Sequence, residues 1–409
     1  MANDPELIFL KRLQARGHWG IKRGLDNPRA LLEGLDRPDQ AFPAVLIAGT
    51  NGKGSTGAFL ANALKAAGLR VGWTTSPHLV SPAERIWLDG AFLDEPGLDA
   101  LLGDVFAAEA TVGIQATYFE LMIAAALLAF QRADVDIALV EVGLGGRWDA
   151  TNILDPILTA LTNVALDHTQ YLGTTREAIA REKLCTARKG RPLVLGPSLD
   201  VAWIRPLLEV EPTIQAAPPL VAEAIAWDHS VVSGHRVGLA GRHQLDNLAT
   251  AFEVLRQLRS LGFQLPEDAV WQGISKTRWP GRLWAVPGLE NVWADGAHNP
   301  DGARVLSQHA VACGVHPHIV FSVMADKDFS EMAEALRRME PASITLVHGE
   351  DERYAREQSL QAVWGPLPVL DLGQAAEMLG RPAEGPRLVT GSLFFIGDLL
   401  RTLGLQLRG

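Results

Sequence analysis

Residues 49–56, Gly-Thr-Asn-Gly-Lys-Gly-Ser-Thr, place glycines at 49, 52 and 54 around Lys53 and follow them with the hydroxyls of Ser55 and Thr56. Glycines let backbone N–H groups come close to an anion, a lysine adds a point positive charge, and a hydroxyl at a helix start can serve Mg²⁺. The chemistry such a set performs is the holding of a nucleoside triphosphate. The loop is a variant, because G-x-x-x-x-G-K-[ST] would want glycine at position 47 and a hydroxyl residue directly after the lysine, where this chain has Ile47 and Gly54. A glycine-rich turn with a solvated lysine is the plainer alternative.

Two further residues invite chemistry. Glu141 closes the apolar run IALVEV, and a carboxylate there needs a cation because desolvating its charge costs several kcal/mol. Mg²⁺ beside a nucleotide would supply it, and so would a salt bridge to Arg147. His168, next to Asp167, is either a metal ligand or a hydrogen-bonded structural histidine.

The elements that must carry these residues are strands and helices in alternation. The run before the loop, Ala44–Gly49, is uniformly apolar, as a buried parallel strand is. Helical patterning over Gly57–Ala67 ends at Gly68, and strands are expected at Leu69–Thr74, Ile137–Val142 and Ile157–Thr162. Leu121–Phe130 reads as a core helix, too short to span a membrane. Thr174, with Glu177 three residues on, has the spacing of a capping box. Ser76, Glu141 and His168 would then follow successive strands, and in a doubly wound sheet such strand ends converge on one crevice.

Residues 5–35 are patterned as amphipathic helix, broken by GHWGIKRG at 17–24; Trp19 and Arg23 could touch a ligand, or pack and face solvent respectively. Residues 191–237 are proline-rich and weakly periodic, and a helix is expected at Asn247–Leu261. The Pro-Gly pair of KTRWPGR (276–282) marks a domain boundary. Beyond it, strands are expected at Val292–Asp295, Ile319–Val323, Ile344–His348, Pro368–Leu372 and Leu388–Gly391. Helices are expected at Phe329–Met339 and Leu393–Leu403, and Asn299-Pro300 is a helix start. This is a smaller Rossmann-like α/β unit, without a G-x-G-x-x-G to support a nicotinamide cofactor.

At 409 residues the chain is expected to form two domains. A net charge of −10 argues against nucleic-acid and anionic-membrane partners. Two cysteines, Cys185 and Cys313, make no disulfide framework, and the charged start MANDPELIFLKRLQARG is unlike a signal peptide. A cytoplasmic location is expected from both.

Taken together, AGTNGKGST (48–56), TSPHL (75–79), TYFE (117–120), EVGLGGRWDATN (141–152), LDHTQYLG (166–173), PGR (280–282), DGAHNP (295–300) and GSLFF (391–395) resemble the folylpolyglutamate synthase/dihydrofolate synthase family, a branch of the Mur-type ATP-dependent amide ligases. The resemblance implies a P-loop-type central ATPase domain binding ATP and pterin or folate at 1–277, a linker at 278–283 and a C-terminal Rossmann-like domain at 284–409. It implies that Gly49, Thr50, Asn51, Gly52, Lys53, Gly54, Ser55 and Thr56 hold ATP, with Asn247, Arg282 and Asp295 as further nucleotide contacts. Ser55 with Glu141 would bind one Mg²⁺, and Ser76, Glu141 and His168 a second. Thr117, Phe119 and Asp149 match pterin-contacting positions, His298 is implied in the catalytic cleft, and Lys183 matches a lysine that the family often carries as a carbamate. The implied activity is ATP-dependent addition of glutamate to dihydropteroate or reduced folates by a monomeric enzyme. Another Mur-type ligase, or a nucleotide-driven switch, are the alternatives. The chain departs from the family at Leu184-Cys185-Thr186-Ala187, where K-A-G-I-F is common, and at Gly24-Leu25-Asp26-Asn27, which lacks the arginine of G-L-x-R.

Overall fold

The computed structural model describes residues 7–17, 23–327, 329–349, 351–405 and 407. Trp19 lies outside them, and Arg23 is exposed. Two compact units divide the chain, one of Met1–Pro219 with Asp246–Ile274 and one of Leu220–Leu245 with Ser275–Leu407.

The first unit is built on eight strands: β1 (Ala44–Ala48), β2 (Val71–Thr74), β3 (Ile86–Leu88), β4 (Ala91–Phe92), β5 (Ile137–Glu141), β6 (Leu158–Leu161), β7 (Pro192–Leu195) and β8 (Thr213–Ala216). Their order in the sheet is β4-β3-β2-β5-β1-β6-β7-β8, antiparallel at β2–β3–β4 and parallel elsewhere. β1 is buried at every position, which explains its lack of alternation: both faces are covered. Each of Val45, Leu46 and Ile47 contributes about 1.5–3 kcal/mol through that burial. Helices Ile8–Gln14, Asp26–Glu33, Glu95–Val112 and Tyr118–Arg132 share an apolar cluster with Ala44, Leu46, Ala138 and Val140. Ala48, Val142 and Leu161 belong to a second cluster, with Ile179, Ala180 and Leu184 of the helix Arg176–Leu184.

Several boundaries differ from the sequence expectations. The helix after β1 starts at Lys53 and runs to Ala66. Thr175, not Thr174, caps Arg176–Leu184, because its hydroxyl is the one that accepts from the Ala178 N–H. Patterning assigns no element to 80–116, yet this stretch holds β3, β4 and the helix Glu95–Val112, capped by Asp94 and stopped by Gly113 in the left-handed region. The signal was there: Asp89-Gly90 between IWL and AF is a hairpin dipeptide, and both residues have positive φ. The helix expected at Asn247 begins at His243 and ends at Ser260.

In the second unit, β9 (Ala224–Ile225), β10 (Ser230–Val232) and β11 (His235–Val237) form a small antiparallel sheet. Six more strands, β12 (Trp284–Ala285), β13 (Val292–Asp295), β14 (His318–Phe321), β15 (Ser343–His348), β16 (Val369–Asp371) and β17 (Arg387–Thr390), align as β12-β13-β17-β14-β15-β16. All but β12 pair in parallel. Among the described residues no helix is long and apolar enough to cross a membrane.

Candidate functional site

In the order β2-β5-β1-β6 the carboxyl ends of four neighbouring strands release the loops 75–79, 142–149, 49–52 and 162–168 side by side. Sheet topology alone thus brings Ser76, Glu141, the glycine-rich loop and His168 to one edge, where open α/β sheets bind ligands. Within that edge, Gly49 and Gly52 have φ of 150° and 85°. A Cβ on Gly49 would lie 1.9 Å from Thr162 Oγ1, and one on Gly52 would lie 2.1 Å from Asn247 Oδ1. Both glycines are therefore required by backbone conformation and by close approach. Asn247 meets the loop at this point, and Thr56 Oγ1 donates to its carbonyl at 3.5 Å.

Lys53 Nζ donates to the carbonyls of Gly49 and Thr50 at 3.1 and 3.0 Å. Lys183 Nζ, from the last turn of its helix, donates to the same Gly49 carbonyl at 2.9 Å. Lys183 is buried, and that burial, with the charge of Lys53 second, lowers its pKa to about 7. Ser55 Oγ, one turn into the helix, is buried with no hydrogen-bond partner. Gly54 and Thr56 are buried around it.

Glu141 is buried and accepts from Thr75 Oγ1 at 2.5 Å, while its neighbour in β1 is Ile47, two residues before Gly49. The alternative salt bridge to Arg147 is not formed: that guanidinium pairs with Glu182 at 3.0 Å and Glu209 at 2.6 Å. Those two carboxylates hold the Arg147 pKa above its usual value. Ser76 directly follows Thr75 and is half-buried. Arg85 is buried beside Tyr118, its Cζ 5.2 Å from the ring centroid, and its Nε donates to His78 Nδ1 at 3.0 Å. Burial lowers its pKa. His168 has a φ of 50°, and its N–H donates to Asp167 Oδ1 at 2.8 Å. Among the described residues, no group of three or more His, Cys, Asp and Glu side chains is gathered to hold a metal.

The residues matched to a pterin also find places here. Asp149 is buried, accepting from Thr151 N and Oγ1 at 3.0 and 2.5 Å and from Leu144 N at 2.9 Å. Burial raises its pKa and these hydrogen bonds oppose the rise. Phe119 lies over Gly143, where a Cβ would come within 2.6 Å of its ring and 3.1 Å of Asp149 Oδ2. The Thr117 hydroxyl caps the helix Tyr118–Arg132 by accepting from Glu120 N, and the Glu120 carboxylate returns to Thr117 N.

Sequence reasoning missed three supports. Thr162 and Asn163 bind the main chain of the glycine-rich loop, and Arg188 donates to the carbonyls of Cys185, Thr186, Ala187, Asn152 and Leu154. Arg188 thereby ties the chain after Lys183 to the turn after Asp149. No local pattern marks these residues, since their partners lie 34 to 112 residues away or are carbonyls that any residue carries.

On the second unit, taken by itself, Asp295 accepts from Leu283 N at 2.8 Å and Ala297 N at 3.0 Å. Arg282 donates to the Gly281 carbonyl at 2.8 Å, and His298 Nδ1 donates to the Gly296 carbonyl at 2.8 Å. A carbonyl acceptor at Nδ1 places the proton of the neutral ring on that nitrogen.

The chain is similar to several known proteins. The Mur ligase middle domain family matches residues 47–186. The Escherichia coli (strain K12) dihydrofolate synthase/folylpolyglutamate synthase is 31% identical, with 100% of this chain and 98% of that protein covered. A solved Escherichia coli structure, FolC in complex with DHPP and ADP, is similar with a TM-score of 0.83 at 30% identity, covering 99% of each chain. A bifunctional folylpolyglutamate synthase/dihydrofolate synthase solved with Mn, AMPPNP and L-glutamate is similar with a TM-score of 0.82 at 30% identity, again over 99% of each chain. The chain spans about half the length, 49% and 51%, of two haloarchaeal relatives, from Haloferax volcanii and Halobacterium salinarum.

Proposed function

The chain belongs to the folylpolyglutamate synthase/dihydrofolate synthase family, and from that premise we propose that it is an ATP-dependent, amide-forming ligase. It joins L-glutamate to dihydropteroate, to the γ-carboxylate of reduced folates, or to both. The observation that carries this reading is Lys53 Nζ held over the glycine-rich loop by the carbonyls of Gly49 and Thr50, at a helix start that has no side-chain cap. The Lys53 ammonium, beside helix-start N–H groups that no side chain caps, leaves a positive surplus that a polyphosphate offsets.

The residues at this edge fit a divalent cation. Ser55 Oγ is a buried oxygen without a partner, and Glu141 is a buried carboxylate, both hard ligands of the kind Mg²⁺ takes. Ser55 with Glu141 would hold one ion, and Ser76, Glu141 and His168 a second. When bound, magnesium would offset charge on the phosphates and on the phosphoryl group in transfer. The protein's own part is to orient. Lys53 and the loop amides hold the triphosphate, so that the acceptor carboxylate can take the γ-phosphoryl group and leave ADP. The α-amine of glutamate then attacks the activated carbonyl, and phosphate departs. Phe119 and Asp149 seat the pterin ring with Thr117, Asn247, Arg282 and Asp295 serve the nucleotide, and His298 serves the reacting groups. The enzyme works as a monomer in the cytoplasm; Cys185 and Cys313, both free, accord with a reducing compartment.

Lys183 carries a carbamate in the working enzyme. Carbamate forms when a neutral amine attacks carbon dioxide and releases a proton, and a pKa of about 7 keeps much of this amine neutral at cellular pH. Carbon-13-enriched bicarbonate should give a carbamate signal that Lys183→Ala loses; active enzyme without the signal would remove the modification. The activity itself is tested by ADP release with Mg²⁺, ATP and glutamate, adding dihydropteroate or tetrahydrofolate separately. Release that needs both glutamate and one of these acids is expected. Release that responds to neither would leave only a nucleotide site.

A further inference from the structure

The loops that follow β1 and β6 are fastened to each other by hydrogen bonds that the reading above leaves without a role. Thr50 Oγ1 donates to the Ala165 carbonyl at 3.2 Å and accepts from the Ala165 N–H at 3.1 Å. The Thr50 N–H donates to the Asn163 carbonyl at 3.1 Å, and the Asn51 N–H to Asn163 Oδ1 at 2.8 Å. Thr162 Oγ1 closes the set by donating to the Asn51 carbonyl at 2.6 Å. From Ala165 the chain needs only Leu166 to reach Asp167 and His168, whose backbone is held in the left-handed region.

We infer that Thr50, supported by Asn163, is a positioning residue that sets the Asp167–His168 loop at a fixed height relative to the phosphate-binding amides. The inference rests on the ATP- and metal-binding reading above and adds to it the device that keeps the two ligand sets in register. One hydroxyl engages both the donor and the acceptor of a single residue, so Ala165 can neither slide along the loop nor swing from it. A β-branched side chain suits the task because its χ1 is stiff. Loops already in register also spare the ligand the entropy of ordering them. Valine in place of Thr50 keeps the shape and the stiffness but leaves the Ala165 N–H and carbonyl without this partner. The damage should then fall on the ligands that depend on Ala165 more than on the first-turn amides of the helix Lys53–Ala66.

Mn²⁺ can report on this, through the paramagnetic resonance signal of the free ion, titrated against wild type, Thr50→Val, Thr50→Ser and Asn163→Ala with ADP present. ADP binding is measured in parallel by calorimetry with EDTA and no metal. Thr50→Val should lower Mn²⁺ affinity about tenfold and metal-free ADP affinity by a distinctly smaller factor, since removing a support of a metal ligand costs roughly 10–100-fold. Thr50→Ser should restore the affinity, and Asn163→Ala should show a smaller loss of the same kind. Should Thr50→Val not fold, Asn163→Ala against wild type carries the comparison. Wild-type Mn²⁺ affinity in Thr50→Val, or an equal loss of metal-free ADP binding, would overturn the inference. Wild type that binds neither Mn²⁺ nor ADP would instead overturn the functional reading on which it stands.

Discussion

Both units contain a strand that runs into a loop and then a helix, and the two helices begin in opposite ways. After β1 the helix Lys53–Ala66 has Gly52 at its N-cap and no side-chain cap. After β13 the helix Pro300–Ala312 is capped by Asn299, whose side chain accepts from Gly302 N at 2.8 Å, with proline at the first helical position. The first turn of a helix has N–H groups without intrahelical partners. In the second unit a side chain satisfies one of them, and the buried Asp295 carboxylate accepts from two backbone N–H groups. In the first unit neither happens, and lysines accumulate instead. A helix start that caps itself is a structural joint; one that declines a cap keeps its donors for an anion.

Substitutions can break this contrast at either end. Lys53→Ala or Glu141→Gln should cut ADP release at least about a hundredfold while leaving the melting temperature near wild type, since each removes electrostatic stabilisation aimed at transferring charge. Near-normal turnover in either would show that the uncapped start is not where the phosphoryl group moves. Gly49→Ala should destabilise the protein by about 2–3 kcal/mol in urea unfolding and abolish nucleotide binding, because a Cβ would both strain the backbone and strike Thr162.

Lys183 sharpens the contrast through pH. Its amine has a pKa of about 7 in the native protein and about 10.4 in an unfolded chain. Between those values the unfolded chain holds a proton that the native one lacks, so unfolding free energy rises with pH and the penalty is largest below 7. In carbon-dioxide-free buffer the stability advantage of Lys183→Met over wild type should shrink as pH rises from 7 to 9. An advantage that stays constant would mean that the amine titrates normally. The smallest effect belongs to the self-capped joint: Asn299→Ala should cost about 1 kcal/mol, read from the same urea curves. A loss of several kcal/mol would show that Asn299 does more than cap.

Much of this was legible in the residues. β1, β5 and β6 are short apolar runs ending in glycine or polar clusters, so their burial and their carboxyl ends could be read directly. Five of the six strands in the C-terminal sheet lie within two residues of their expected bounds for the same reason, and β12, two residues long, carries too little pattern to read. What stayed hidden is what depends on partners distant in the chain. Glu141 leaves two options open, and the pairing of Arg147 with Glu182 and Glu209 removes one of them, the salt bridge. The motif places Thr50 at the nucleotide but carries no sign that its hydroxyl also binds Ala165, 115 residues on. The Asp89-Gly90 hairpin was a local signal and was simply passed over.

The crowding at the Gly49 carbonyl has a practical side. With Lys53 and Lys183 both directed at it, ligand-free protein below neutral pH carries concentrated positive charge that simple buffer anions will partly neutralise. Any anion that binds the native state and not the unfolded chain raises apparent stability in proportion to the logarithm of its concentration. The choice between phosphate and a bulky zwitterionic buffer thus becomes a ligand variable, and the midpoint of a melt is a property of the protein together with its salt.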